Sequence, residues 1–359
     1  MTEQTHPLGG TEPQPLLSRL RVAEKLILGF FAYLGLVAWI FPVDTPQRWL
    51  ILGLNSLACA VVALLGWLNR SPLPPASAYA LSGCLPRRLF TLMPLPGKKL
   101  LSPARDWLPL LLILVAYRES GLFIRPDTTH HLDQVFVSWD RYLLGNRWVR
   151  EVVSAGGVWL AGYLEIAYLL CYPLAPLGLG AILRWIQRQG RPSLALEGRQ
   201  SGAVGVSNAV DHFWTSVLMA AFFAYAVFPF FSLTPPRVLY HDLPPPSPSL
   251  FRGANLWILD RYGVQASIFP SGHVAVVTAT ALGVQRVRRR LGLLFLWAAF
   301  SIAVATVLLR YHYAADALTG LVVGAASALL SRGIWRSSIP QREWHTGNCS
   351  SKLRGSSGS

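Results

Sequence analysis

Residues 270–331 read PSGHVAVVTATALGVQRVRRRLGLLFLWAAFSIAVATVLLRYHYAADALTGLVVGAASALLS. Three apolar stretches, near 270–285, 291–309 and 313–331, are divided by the basic turn Arg286–Arg290 and by the polar turn Arg310–Tyr313. A helical stretch of about 20 apolar residues is long enough to cross the hydrocarbon of a bilayer. Working outward, comparable runs occur at 25–43, 48–68, 106–124, 155–183 and 209–232. The pattern predicts an all-α, multi-pass membrane helix bundle with about eight transmembrane helices. The run 106–124 contains Arg118 and Glu119, and the run 270–285 is short and rich in Ala and Val. Both are expected to lie among other helices rather than against lipid.

Composition points the same way. Of 359 residues, 52% are hydrophobic and 14% charged, and the mean hydropathy is +0.39. A soluble domain carries about 25% charged residues, so too little polar material remains here to coat a water-facing surface. The net charge of +15 raises the question of a nucleic-acid partner. The placement of the basic residues answers it. From a cytoplasmic N-terminus, Arg19, Arg21 and Lys25 lie inside, as do Arg70, Arg87, Arg88, Lys98, Lys99 and Arg105 of loop 69–105. Arg184, Arg188, Arg191 and Arg199 of loop 184–208, the turn Arg286–Arg290 and the basic C-terminal tail join them. This is the positive-inside distribution: the charge reports topology, and no nucleic-acid partner is expected. Cys59, Cys84, Cys171 and Cys349 have no metal-like spacing, so no metal site or disulfide framework is expected. The first apolar run is followed by seven more and reads as a retained helix rather than a cleaved signal.

The chain divides into a cytoplasmic N-terminal segment (1–24), a transmembrane hairpin (25–68), a Pro- and Leu-rich cytoplasmic linker (69–105), a membrane core domain (106–331) and a low-complexity cytoplasmic tail (332–359) expected to be disordered. No internal repeat is found. Between two apolar runs, residues 126–150 set Leu132, Val135, Phe136, Trp139, Leu143 and Leu144 against Asp133, Asp140 and Arg141. Such an amphipathic stretch suits a helix lying in the membrane interface, and anchoring the core is its expected role. The loop 233–268 is too polar for hydrocarbon.

Three short signals carry the chemistry. In Phe269-Pro270-Ser271-Gly272-His273, proline pre-sets a helix start. The amides of Ser271 and Gly272 at a positive helix end then offer an anion site, which Gly272 leaves uncrowded. The plain alternative is a capped helix with an incidental histidine. In His312-Tyr-Ala-Ala-Asp316, histidine and carboxylate stand at i and i+4 on one helical face. There Asp316 can take the Nδ1–H and leave Nε2 of His312 as a nucleophile. A polar packing contact is the alternative, but ionisable residues inside spans are costly and mark function. The third signal is Thr234-Pro235-Pro236-Arg237 at the end of a span, where a guanidinium either snorkels to the interface or grips a phosphate. Counting spans from a cytoplasmic N-terminus brings all three out on the non-cytoplasmic side.

Pro-Ser-Gly-His followed one hairpin later by His-x-x-x-Asp resembles the type 2 phosphatidic acid phosphatase (PAP2) superfamily, over roughly residues 106–331. The resemblance implies a six-helix catalytic core acting on membrane lipid phosphates without a metal or other cofactor. It also implies His312 as nucleophile forming a phosphohistidine, Asp316 as its partner and His273 as general acid. The common phosphatase pattern begins with Lys-x6-Arg-Pro. The near match from Arg184 to Arg191-Pro192 sits in a basic cytoplasmic loop, on the wrong side, and Arg237 is expected to serve in its place. The phosphatases carry Ser-Arg six residues before the nucleophile, where this chain has Ala305-Thr306, and Arg310 is expected to supply the missing charge. Thr306, an aromatic after the histidine, the Pro-Pro-Arg motif, the stretch Asp133–Gly145 and the tyrosines from Tyr163 to Tyr172 resemble the subgroup containing the inositolphosphorylceramide synthases. The expected protein is therefore a lipid phosphotransferase of the plasma membrane. A lipid or isoprenoid diphosphate phosphatase using water is the alternative, and a transporter is a more distant one.

Overall fold

The structure, a computed structural model, describes residues 20–68, 97–124, 131–145, 147–189, 201–231, 233–240, 248–264, 266 and 269–337. The linker 69–96 and the tail from 338 lie outside the described residues. Twelve α-helices and one short 3-10 turn follow one another among them, with no strand: α1 (Val22–Ile40), α2 (Thr45–Leu68), α3 (Gly97–Gly121), α4 (His131–Leu144), α5 (Arg147–Leu169), α6 (Leu174–Gln189), α7 (Ser201–Val227), α8 (Pro236–Leu239), α9 (Leu250–Tyr262), α10 (Gly272–Val287), α11 (Arg289–Leu308) and α12 (Ala314–Ser337).

Five helical stretches are long and apolar enough to cross a membrane: Val22–Ile40, Thr45–Leu68, Ala209–Phe230, Arg289–Leu308 and Ala314–Ile334. The single run expected at 155–183 is instead a pair, Ala155–Leu169 and Leu174–Arg188, bent by 63°. Pro173 stands at the break; it has no N–H to continue the helix and its ring crowds the preceding turn. Counting the pair as one span gives six candidates by length and composition among the described residues, against about eight expected. The two runs that fail are α3, with Arg105, Asp106, Arg118 and Glu119 towards its ends, and α10, with only 16 residues. Of the two charges in the third run, Glu119 is buried as expected, whereas Arg118 is exposed and donates to the carbonyl of Tyr262 at 3.0 Å.

Helix α10 can be short because protein surrounds it. It packs against α6, α7, α11 and α12, and its small side chains let neighbours come close. A Cβ on Gly320 would stand 2.7 Å from the carbonyl oxygen of Ser271, and one on Gly324 would stand 2.6 Å from that of Ala275. This small-xxx-small spacing brings the backbones of α12 and α10 together. The hairpin α1–α2 shares the same core: Phe30 stacks on Phe222 of α7 at 4.2 Å, and the Tyr33 hydroxyl donates to the carbonyl of Ala226.

Candidate active site

The start of α10 is built from contacts that cross the bundle. Ser271 is its N-cap, its Oγ accepting from Val274 N–H at 3.4 Å. The Ser271 amide, expected to be open to an anion, donates instead to the Asp316 carbonyl at 3.0 Å, because α12 comes so close at Gly320. Ser271 thus joins the two motifs, and the open amides of the first turn are those of Gly272 and His273. A Cβ at Gly272 would stand 3.0 Å from the Tyr225 ring, so a larger residue there would push that ring aside by a few tenths of an ångström.

The second motif also differs in detail from the pattern read in the sequence. The Thr306 carbonyl accepts from both Tyr311 N–H and His312 N–H at 2.9 Å, which ends α11 in a tight turn. Arg310 takes a left-handed φ of 64° to close it. That conformation costs a non-glycine residue about 1–3 kcal/mol and is found at sites whose surroundings enforce it. His312 therefore lies in the turn before α12 rather than on the helix. The i, i+4 reach survives, with His312 Nδ1 3.4 Å from Asp316 Oδ2, and that oxygen also accepts from Tyr313 N–H at 3.1 Å. Both side chains are buried. The rings of His273 and His312 meet edge to face, with centroids 5.9 Å apart and planes inclined by 60°.

Arg237, on the single turn α8, donates its backbone N–H to the Arg310 carbonyl at 3.0 Å, which ties the third signal to the second. Its guanidinium has no hydrogen-bonded partner among the described residues and lies near enough to Tyr117 and Tyr311 to act on both electrostatically. The Arg310 guanidinium sits 5.9 Å from the Tyr240 ring centroid. The seven residues singled out in the sequence thus meet at one end of the bundle. Arg184 and Arg188 do not. Helix α6 runs alongside α10 in the same sense, with Gly178 against Thr280 and Val284, so both arginines lie towards the far end from His273. Arg191 lies outside the described residues.

Several contributors are not evident from the motifs. Glu165 of α5, fully buried, accepts from Arg252 at 2.9 Å, from Asn255 Nδ2 at 2.7 Å and from the Tyr311 hydroxyl at 2.8 Å. Tyr311 in turn stacks on Tyr168 at 4.1 Å. The rings of Tyr117, Tyr168 and Tyr172 surround His273 at 6.5, 6.0 and 5.9 Å. A lone carboxylate inside an apolar run is the sequence signal that marks Glu165. Among the described residues, no cluster of three or more His, Cys, Asp or Glu could hold a metal ion.

The arrangement brings two imidazoles, a helix start and the arginine-bearing turn to one end of the bundle. Comparison with known protein families agrees with it: residues 204–330 match the family model described as the PAP2 superfamily. The match spans all three signals and points to phosphatase- or phosphotransferase-type chemistry on lipid phosphates. Comparison with curated proteins and with solved structures gives no match.

Proposed function

We propose that this chain is a membrane-embedded enzyme that transfers a phospho-head group between lipid or alcohol acceptors through a phosphohistidine on His312. The observation that carries the reading is the 5.9 Å approach of the His273 and His312 rings, within the segment matched by the PAP2 superfamily. Nδ1 of His312 faces Asp316, which leaves Nε2 for phosphorus. Attack by Nε2 forms the P–N bond and breaks the bond from phosphorus to the leaving oxygen, while His273 gives that oxygen its proton. His273 then takes the proton of an acceptor hydroxyl, whose oxygen attacks phosphorus and releases His312. Arg237, Arg310 and the Gly272 and His273 amides are assigned to the phosphoryl oxygens, where preorganised donors stabilise charge as it builds; Ser271 acts by capping the helix start. The negative phosphate itself favours the protonated form of His273 when substrate is bound.

Transfer to an alcohol, a phospho-inositol group included, is preferred here to transfer to water because Thr306 stands where the phosphatases carry arginine. The site is assigned to the non-cytoplasmic face of the plasma membrane, on the distribution of basic residues. The test is His312→Ala: purified enzyme should lose all turnover and all acid-labile phosphate label while still inserting and unfolding like wild type. A fully active His312→Ala enzyme would refute the reading. Release of inorganic phosphate without an added alcohol would assign the acceptor as water.

A further inference from the structure

Helix α4 turns Asp133, Phe136, Val137 and Asp140 inward, the i, i+3, i+4, i+7 spacing of one helical face, and leaves Val135, Trp139, Tyr142 and Leu143 exposed. The inward face reaches all three catalytic segments. Asp133 Oδ1 accepts the amide of Thr234 at 2.7 Å, at the start of the turn that carries Arg237. Asp140 Oδ1 accepts the amide of Ala314 at 2.8 Å, between His312 and Asp316, and its Oδ2 accepts from the Tyr240 hydroxyl at 3.2 Å. Between the two carboxylates, the Phe136 ring lies 5.3 Å from Phe269, which precedes the Pro-Ser-Gly-His motif, and 5.5 Å from Tyr313. The Tyr313 hydroxyl closes the circuit on the Thr234 carbonyl at 2.7 Å.

Each carboxylate is only 2% exposed. Burying a carboxylate is costly unless its bonds repay the lost hydration. A helix that merely anchored the core would do better with apolar side chains at 133 and 140. We propose that Asp133 and Asp140 are positioning residues that fix the Arg237 turn and the His312–Asp316 turn relative to each other, so that a phosphate held by Arg237 meets Nε2 of His312 in line. The proposal rests on the phosphohistidine reading above. It extends the role of the amphipathic 126–150 stretch from anchoring to alignment of the site. A displacement near 1 Å between reacting groups costs a rate factor on the order of 100, and the two carboxylates add fixed points that hold both turns against such a shift.

The test uses the full chain in detergent, with short-chain phosphatidic acid and phosphatidylinositol as probes. Asp140→Ala frees the nucleophile turn and should lower kcat on the order of 100-fold with KM nearly unchanged. Asp133→Ala frees the turn bearing the phosphate ligand and should act mainly on KM, raising it about tenfold, the factor that about 1.4 kcal/mol of lost binding gives. Asp140→Asn and Asp133→Asn keep an acceptor oxygen for the backbone amide and should recover most of the loss. A purely structural role would lower thermal stability while leaving kcat and KM per folded molecule as in wild type, and that result overturns the proposal. So would asparagine variants as impaired as the alanine ones. If His312→Ala keeps turnover, the phosphohistidine reading falls. If it is inactive while both alanine variants work like wild type, that reading stands and the positioning role falls. Should the alanine variants not fold, or neither probe turn over, hydrogen exchange in the wild-type chain decides. Slow exchange at Thr234 and Ala314 supports the clamp, and exchange at the rate of an open loop overturns it.

Discussion

At the end of the bundle where α1 and α3 begin, Arg105 grips Glu24 through two nitrogens and Arg21 holds Asp106 at 2.6 Å. Asp211 there accepts the amides of Val22 and Ala23 at 3.0 and 2.9 Å. At the opposite end the buried carboxylates are spent differently. Asp133 and Asp140 accept backbone amides, Asp316 meets a histidine and an amide, and Glu165 meets Arg252. One end uses arginine to neutralise carboxylate and lock three helices together. The other keeps the Arg237 guanidinium from carboxylates and uses its acids to hold the turns. If the proposed function holds, the two ends should have opposite dependencies, one for stability and one for turnover.

Substitutions at the two ends should separate those dependencies. Arg105→Ala leaves Glu24 buried without its cation, and breaking a buried pair from one side costs about 3–5 kcal/mol. The expected result is a large fall in the apparent Tm in detergent, with turnover per folded molecule preserved. Loss of turnover at unchanged Tm would break the comparison. Arg237→Ala is expected to do the reverse, lowering kcat/KM by about 10²–10³, the usual effect of removing one donor to a developing charge, with Tm close to wild type. Arg237→Lys keeps the charge but not the fork geometry and should recover only part of the activity.

The parts of this site legible in the sequence were those whose meaning is local. The proline-led helix start, the i, i+4 histidine and aspartate, and the basic turn at Arg286–Arg290 each carry their reason within a few residues. The apolar runs did the same for the helices, apart from the bend at Pro173, which the continuous hydrophobicity on both sides conceals. What the sequence hid depends on contacts between distant segments. The Ser271 amide is taken by Asp316 only because Gly320 lets α12 approach. His312 lies off the helix because Arg310 adopts a left-handed φ, which nothing about arginine announces. Glu165 finds Arg252 and Asn255 almost ninety residues away. The charges of α4 looked like the polar side of an interfacial helix until their partners, Thr234 and Ala314, were seen.

The smallest expected effect sharpens the contrast through pH. Burial pushes the Asp140 carboxyl up to about 6, with the nearby Asp316 adding to the rise and the Ala314 amide and Tyr240 hydroxyl opposing it. The unfolded chain holds the same group near 4. Between those two values the folded protein binds more protons than the unfolded one, so this group's contribution to stability is fullest below about pH 4 and falls until about pH 6. Asp140→Asn cannot titrate. The stability of wild type relative to Asp140→Asn should therefore decline across that interval, by up to about 3 kcal/mol in all (roughly 1.4 kcal/mol for each pH unit crossed), and then level off. Other carboxylates titrate in both proteins and largely cancel in the difference. Thermal unfolding of the pair at half-unit steps from pH 4 to 7 checks it. A flat difference would mean that the Ala314 amide and the Tyr240 hydroxyl fully offset the cost of burying Asp140, and the contrast between the two ends would then rest on Arg237 alone.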